Sequence, residues 1–229
     1  MGSAALGTAI SKFVNKYFSP TISVDPSQII ITNGVTALLD MLAFSICDAG
    51  EGIMYTTPTY GMFSHDLQAR NEIKIVEIPT EDTFDQFSAA SADELIERVH
   101  TALKTAIGEG IVVKAVLICN PSNPLGRCYS RSTLIRLAQF CAVNELHLIS
   151  DEIYAMSVFS GADDGNTSAE EEVMDGFTSA LSIDNETGVD GRNIHVLYGA
   201  AKDFGLGGLH LGMLFTKNMV LWEACRRLA

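Results

Sequence analysis

The sequence predicts an α/β domain built around a largely parallel sheet. Short apolar runs alternate along the chain with segments of helical periodicity, as expected of strands joined by helices. Several runs are continuous rather than alternating in their apolar residues, which is typical of strands covered on both faces. With 229 residues, 47% of them hydrophobic, the chain is long enough to bury one large core.

The alternation predicts seven strands and six helices. The strands are expected at residues 28–32, 52–56, 73–78, 112–118, 146–150, 193–198 and 211–216. The helices are expected at residues 4–17, 35–47, 61–69, 92–107, 132–144 and 219–228. In the fifth helix, apolar side chains recur at helical spacing on one face, namely Leu134, Leu137, Ala138 and Cys141. In such sheets ligands collect at the carboxyl ends of the strands.

The charge of the chain is strongly negative and partly concentrated in one segment. A net charge of −13 argues against nucleic acid and against anionic membrane surfaces as partners. Residues 161–190 hold nine acidic residues and no Lys or Arg. We therefore interpret residues 161–192 as an acidic, solvated surface loop or insert within the domain.

The cysteines and the apolar runs indicate a cytoplasmic protein. The five cysteines are scattered and form no C-x-x-C pattern, which favours reduced thiols and predicts no metal site. No apolar run approaches the roughly 20 residues that span a bilayer. The N-terminus lacks the basic-then-apolar profile of a signal peptide.

Lys202 follows the sixth predicted strand and precedes a glycine-rich turn. A lysine at a strand end in an apolar setting can have a lowered pKa, which makes its amine a usable nucleophile toward an aldehyde cofactor. A surface lysine on a loop is the ordinary alternative.

Asp151 and Asn123 follow the two preceding strands in the same manner. An acid emerging from a buried strand needs a cationic or donor partner, and a protonated pyridine nitrogen is one; capping of a helix is the alternative. Tyr154, three residues on, can face the same ligand and hydrogen-bond a ring oxygen. Asn123, whose backbone Pro121 and Pro124 restrict, can reach that oxygen with its amide.

Two further motifs follow strands nearer the N-terminus. Val35 and Thr36 begin a predicted amphipathic helix, whose free N–H groups form an anion site. Tyr60 can stack on a flat ring, although packing in the core explains it equally well. No Gly-x-Gly-x-x-Gly turn follows the first strand, which argues against a generic dinucleotide-binding domain.

In order and spacing, these motifs resemble the class I/II aminotransferases of pyridoxal phosphate (PLP) fold type I. The chain looks closest to the branch similar to 1-aminocyclopropane-1-carboxylate synthase, especially its fungal members. The motifs that carry the resemblance are Thr32-Asn33-Gly34-Val35-Thr36, Pro58-Thr59-Tyr60, Asn120-Pro121-Ser122-Asn123-Pro124-Leu125-Gly126, Ser150-Asp151-Glu152-Ile153-Tyr154 and Lys202-Asp203-Phe204-Gly205-Leu206.

The resemblance implies a role for each motif. Lys202 would form the Schiff base with PLP and move the proton at the substrate Cα, and Asp151 would pair with the pyridinium nitrogen. Asn123 and Tyr154 would bond the phenolic oxygen. The stacking ring would be Tyr60, and the phosphate donors would be Val35 and Thr36.

The resemblance also implies an architecture and partners. Residues 1–229 would be part of a three-layer large domain with a mixed, mainly parallel seven-stranded sheet. The small domain would be largely missing. An amino acid would be the substrate, and the partner would be a second copy of the chain or a paralogue.

Two positions depart from the family pattern. Ala201 stands where the family has a serine, and His210 stands where it has an arginine that clamps the phosphate. A hydroxyl donor and a permanent bidentate cation are both lost, so we expect weakened PLP binding. His210 can serve in place of the arginine when it is protonated, with affinity rising below pH 7.

The chain is also short for this family, and we expect a fragment, a truncated gene product or a degenerate paralogue. The helices at residues 4–17 and 219–228 are expected to leave apolar surface exposed. Three activities stay open: an aminotransferase, in secondary-metabolite biosynthesis for example; a carbon–sulfur lyase or 1-aminocyclopropane-1-carboxylate synthase-like lyase; and a non-catalytic remnant or dimer partner.

Overall fold

A seven-stranded sheet forms the centre of the fold in the computed structural model, which describes residues 3–80, 84–158 and 176–229. Its strands are β1 (Ile30–Asn33), β2 (Gly52–Thr57), β3 (Lys74–Pro79), β4 (Val113–Cys119), β5 (His147–Asp151), β6 (Ile194–Gly199) and β7 (Leu211–Thr216). They lie in the order β1-β7-β6-β5-β4-β2-β3. Only β7 runs antiparallel to its neighbours, so the sheet is mixed and mainly parallel.

Six helices cover both faces of this sheet. They are α1 (Ala4–Tyr17), α2 (Gly34–Ile46), α3 (Phe63–Gln68), α4 (Ala92–Gly108), α5 (Arg131–Val143) and α6 (Met219–Leu228). Buried residues of α1, α4 and α5 belong to one core cluster, and those of α2, α3 and α6 belong to a second. The two clusters lie on opposite sides of the sheet, which confirms the predicted three-layer α/β architecture.

All seven predicted strands and all six predicted helices are present, with small differences at their ends. The first strand was expected at residues 28–32 but begins at Ile30. The difference arises because Pro26–Gln28 forms a short 3-10 helix, in which the side chain of Asp25 accepts a hydrogen bond from the Ser27 N–H. Proline at the first position of such a turn favours it over an extended strand.

The prediction of a solvated loop at residues 161–192 is wrong for part of that segment. Residues 159–175 lie outside the described residues, but Ala180, Leu181 and Ile183 are buried in the core. The prediction fails there because apolar residues interleave with the acidic ones, and the side chains of these apolar residues pack in the core. Asp184, one of the acids counted as solvated, is almost fully buried and forms an ion pair with Lys217.

Apolar side chains remain exposed on the terminal helices, as predicted. Val220 on α6 is 84% exposed and Met219 is half exposed, and Tyr17 at the end of α1 is also exposed. Within the described parts of the chain, no helix is both long and apolar enough to cross a bilayer.

Candidate cofactor site

The predicted site residues follow the carboxyl ends of four neighbouring strands. Tyr60 comes after β2, Asn123 after β4, Asp151 ends β5, and Lys202 comes after β6. Since these strands are parallel, their carboxyl ends meet at one edge of the sheet. The chain order reverses between β2 and β4, which is where open α/β sheets bind ligands.

Asp151 is a buried carboxylate without a cationic partner among the described residues. It is 5% exposed, and its Oδ1 accepts one hydrogen bond, from the Ile153 N–H at 3.2 Å. Burial raises the pKa of Asp151 to about 7, and the charge of Asp66 adds to the rise. A buried carboxylate of this kind fits the protonated ring nitrogen of PLP, because an opposite charge would offset its desolvation.

Tyr60 and Tyr154 lie within electrostatic range of this carboxylate. Burial raises the pKa of both phenols, and the charge of Asp151 contributes to the rise in each. Tyr154 also contributes to the raised pKa of Tyr60. The Tyr60 ring packs edge-on against Phe63 at 5.4 Å between centroids, so packing fixes its orientation. Tyr60 is only partly buried and keeps exposed area for a ligand.

Asn123 is held beside the same carboxylate through Cys119. The backbone N–H of Asn123 donates to the Cys119 thiol, which itself donates to the Pro121 carbonyl at 3.2 Å. Cys119 pairs in register with Asp151 across β4 and β5. The side chain of Asn123 is partly exposed, as a ligand-binding amide must be.

The start of α2 has backbone N–H groups without a side-chain cap. Its cap residue, Asn33, makes no side-chain hydrogen bond to the helix, so the first N–H groups are available. Gly34 has φ of 87°, and a Cβ on Gly212 would lie 2.4 Å from the Gly34 carbonyl carbon. Glycine at both positions therefore allows α2 to begin directly against β7. Val35 is buried at this point, whereas Thr36 is exposed.

His210 lies beside the start of α2. It precedes β7 in a left-handed conformation, and its Nδ1 is 3.7 Å from the position of a Cβ added to Gly34. The imidazole is exposed. A histidine here can carry positive charge to the helix start, but only in its protonated form.

Lys202 lies in a turn beyond the end of β6, and its side chain is exposed. The predicted apolar setting is therefore wrong for the described residues. The physical reason is that most of the connection between β6 and β7 is exposed, namely Lys202 and residues 204–210. The Phe13 ring of α1 packs edge-on against Phe204 at 5.5 Å between centroids, but Lys202 itself stays exposed.

Asp203 anchors the turn that carries Lys202, and the sequence patterns did not single it out. Its carboxylate accepts hydrogen bonds from the Met156 N–H at 2.9 Å, the Tyr198 hydroxyl at 2.9 Å and the Ser157 hydroxyl at 2.5 Å. These bonds tie the turn to the segment that follows Asp151. An acid directly after the lysine was the only sequence signal for this role.

Asp66 on α3 is a second residue that sequence reasoning missed. It is 4% exposed, and its Oδ2 accepts a hydrogen bond from the Thr36 hydroxyl at 3.1 Å. Its charge contributes to the raised pKa values of Tyr60 and Asp151, in each case after burial. Its partner Thr36 lies 30 positions away, so local patterns give no indication of it.

Solved structures share this arrangement of sheet and helices. Cystalysin from Treponema denticola, whose structure contains pyridoxal 5'-phosphate, superposes with a TM-score of 0.77 at 20% identity over 99% of this chain and 50% of that chain. An aspartate aminotransferase mutant from Thermus thermophilus superposes with a TM-score of 0.74 at 21% identity over 99% of this chain and 53% of that chain. Likeness at this level of identity shows the fold alone.

Sequence comparison gives the family. The family model for aminotransferase class I and II matches residues 1–229. A probable aminotransferase, sirI, from Leptosphaeria maculans is 39% identical over 95% of this chain and 49% of its own length. 1-Aminocyclopropane-1-carboxylate synthase 4 from Oryza sativa subsp. japonica is 33% identical over 100% of this chain and 45% of its own length.

The chain therefore belongs to the aminotransferase class I and II family, whose cofactor is PLP. This confirms the resemblance found in the sequence. The chain spans about half the length of the curated relatives it matches.

Proposed function

We propose that this chain binds PLP at the carboxyl edge of its sheet and acts there on an amino acid, as the large-domain part of an aminotransferase. The observation that carries the proposal is the buried carboxylate of Asp151, which has no cationic partner among the described residues. Family membership also supports the proposal. The motif that contains Asp151 supplies Tyr154 as well, and it lies beside the motifs that contain Asn123 and Lys202.

Each residue of the site would hold one part of the cofactor. Asp151 would pair with the ring nitrogen, and Tyr60 would lie against the ring. Asn123 and Tyr154 would donate to the phenolic oxygen. The backbone N–H groups of Val35 and Thr36, with His210 beside them, would receive the phosphate.

The chemistry is then divided between the cofactor and the chain. When bound, PLP supplies an electron sink for the pair left at the substrate Cα. Lys202 would move the proton at that Cα, and the hydrogen bonds of Asp203 would hold the turn that carries its amine. Asp151 would keep the ring nitrogen protonated, which would strengthen the sink.

We further propose that the chain works as a dimer, with a second copy or with a paralogue. Large apolar side chains are exposed on the loops that carry the site residues, namely Met62, Leu125, Phe204, Leu206 and Leu209. Apolar surface concentrated at the mouth of a site supports a pairing surface there.

Aminotransfer and elimination give different products, and this difference tests the function. We expect the PLP-loaded protein to transfer the amino group from an added amino acid to an added 2-oxo acid. The products would be the 2-oxo acid that corresponds to the added amino acid and the amino acid that corresponds to the added 2-oxo acid. The chain has a higher sequence identity to a probable aminotransferase than to 1-aminocyclopropane-1-carboxylate synthase 4, which favours aminotransfer over elimination.

The products are separated by liquid chromatography and mass spectrometry, with Lys202→Ala as the control. Release of a thiol or of a cyclised product, without exchange of the amino group, would instead favour a lyase. If neither product forms with any amino acid although PLP is bound, the chain is a non-catalytic partner.

His210→Arg should strengthen PLP binding by about ten- to a hundredfold, since a permanent bidentate cation replaces an imidazole. Equilibrium titration at pH 8, followed by PLP absorbance, measures the affinity of both proteins.

His100→Arg is the matched control, since His100 is an exposed histidine on α4 and belongs to none of the site motifs. It should leave the affinity of the wild type unchanged. Equal affinities of wild type and His210→Arg at pH 8 would show that position 210 does not face the phosphate.

A further inference from the structure

A single ring of α1 contacts residues on both sides of Lys202. The Phe13 ring stacks on the Tyr198 ring, with 5.7 Å between centroids and 24° between planes. It also packs edge-on against Phe204, with 5.5 Å between centroids and 61° between planes. Tyr198 precedes the lysine in β6 and Phe204 follows it, so Phe13 bridges the segment that carries the amine. Aromatic pairs of this kind stabilise a structure beyond the area that they bury.

Polar contacts of α1 fix the position of Phe13. The Asn15 side chain accepts a hydrogen bond from the Val24 N–H at 2.7 Å and donates one to the Val24 carbonyl at 3.1 Å. The Ser11 hydroxyl donates to the same carbonyl at 2.7 Å. Ser11 is buried and Asn15 is partly buried, which limits the competition from water for these bonds. Because Ser11 and Asn15 lie on either side of Phe13 along the helix, a shift of the Phe13 ring requires that these bonds break.

The place of the Lys202 amine depends on how its turn is attached to the rest of the chain. Among the described residues, the Lys202 side chain forms no hydrogen bond, ion pair or ring contact, and it is exposed. Asp203 attaches the turn to the segment after β5 and to β6. Phe204 provides a second attachment, and Phe13 is the only ring in the described ranges that packs against it. The turn is therefore held from two directions.

We propose that Phe13 is a positioning residue for Lys202, which sets the place of the amine by holding Tyr198 and Phe204 on either side of it. This inference rests on the proposed function, because that function gives Lys202 a reaction in which its place matters. A misplacement of about 1 Å can slow a reaction between bound groups about a hundredfold. Phe13 lies outside every motif by which the chain is recognised.

Phe204→Ala removes one of the two ring contacts of Phe13 at an exposed position. Borohydride-trapped attachment of PLP to Lys202, at saturating PLP, should become about tenfold slower. The kcat for amino acids should fall by a similar factor and KM by less than about threefold, because the amine moves while the groups that bind the substrate stay in place. Phe204→Tyr keeps the ring and should match the wild type. Phe44→Ala is the matched control, since Phe44 on α2 is 51% exposed, as Phe204 is.

Phe13→Ala should slow attachment at least as much as Phe204→Ala. The variant that combines both substitutions should match Phe13→Ala within about twofold, because Phe204 has no ring to pack against once Phe13 is absent. Independent roles would instead multiply the two factors. Phe84→Ala is the control for Phe13→Ala, since Phe84 is also partly buried against the same core cluster. Phe13→Leu keeps an apolar side chain without the ring and serves if Phe13→Ala does not fold.

Hydrogen exchange gives a second readout that needs no cofactor. The Leu206 N–H donates to the Ala200 carbonyl at 3.2 Å within the turn. Its exchange should be about tenfold faster in Phe13→Ala than in the wild type, relative to the Leu117 amide of the central strand β4. An equal acceleration at both amides would mean that Phe13 contributes only to the stability of the whole fold, and would overturn the proposal.

The attachment and turnover measurements separate the proposal from the proposed function. If the wild type forms an adduct at Lys202 and Phe13→Ala and Phe204→Ala form it at the same rate, only the role of Phe13 fails. Equal slowing by the Phe44 and Phe84 controls would also overturn that role. If the wild type forms no adduct at Lys202, the proposed function fails. The hydrogen exchange of the turn then decides alone whether Phe13 holds it: selectively faster exchange in Phe13→Ala supports the role, and unchanged exchange overturns it.

Discussion

Replacement of Lys202 by alanine should abolish covalent attachment of PLP to the chain. Reduction of the PLP-treated wild type with borohydride is expected to leave one adduct, at Lys202, which peptide mass spectrometry locates. Turnover of amino acids should fall by about 10²–10⁴-fold, the range found when a positioned proton-transfer group is removed. The reason is that both proposed roles of Lys202, attachment to the aldehyde carbon and proton transfer at the substrate Cα, require its amine.

Two matched variants sharpen this result. Lys104→Ala removes another exposed lysine, on α4, and should leave both the adduct and the turnover unchanged. Because Lys202 is exposed, Lys202→Ala should change the free energy of unfolding by less than about 0.5 kcal/mol. An adduct spread over several surface lysines, and unchanged in Lys202→Ala, would remove the basis for a working cofactor site.

Asp151→Asn should stabilise the cofactor-free protein at pH 8 and weaken its response to PLP. Burial raises the pKa of Asp151 in the folded chain to about 7, from an ordinary value of 3.8. Between these pH values the folded chain binds the proton that the unfolded chain has released, so the free energy of unfolding falls as pH rises. Asparagine cannot ionise, and we expect a gain of about 2–4 kcal/mol at pH 8.

The gain should disappear toward pH 4, where the wild-type carboxyl is protonated in both states. Denaturant unfolding at pH 4, 6 and 8 measures it, with Glu97→Gln as a control on an exposed carboxylate. With PLP present the wild type should be more stable than Asp151→Asn, because the variant lacks the charge that pairs with the ring nitrogen. A variant that is less stable than the wild type at pH 8 without PLP would mean that Asp151 already has a favourable partner.

The fold and the place of the site could be predicted because both follow from local patterns. Continuous apolar runs marked the strands, and helical spacing marked the helices that cover them. The residues after those runs had to meet at one edge, since parallel strands end together. The positions of Asp151, Asn123 and Tyr60 could therefore be predicted without knowledge of contacts between distant segments.

The features that could not be predicted depend on contacts between distant segments, which no local pattern encodes. The bond from Thr36 to Asp66 joins residues on two helices, and an acid within a short helix gives no sign of burial. The exposure of Lys202 depends on which segments cover its turn. Ala180 is buried next to acidic neighbours because its N–H donates to the buried Glu152 at 2.8 Å, a contact across segments far apart in the chain.

The single antiparallel strand has a consequence for how the site can change. Because β7 returns directly alongside β6, no crossover helix separates them, and residues 200–210 form one continuous connection. This connection carries Lys202 at one end and His210 at the other. Asp203 ties the Lys202 end to β6 and to the segment after β5, whereas His210 directly precedes β7, so each end is held by a different strand. A change of length in the exposed middle of the connection would therefore leave both ends in place, and a change at either end requires substitution there, as at Ala201 and His210, where the chain departs from the family pattern.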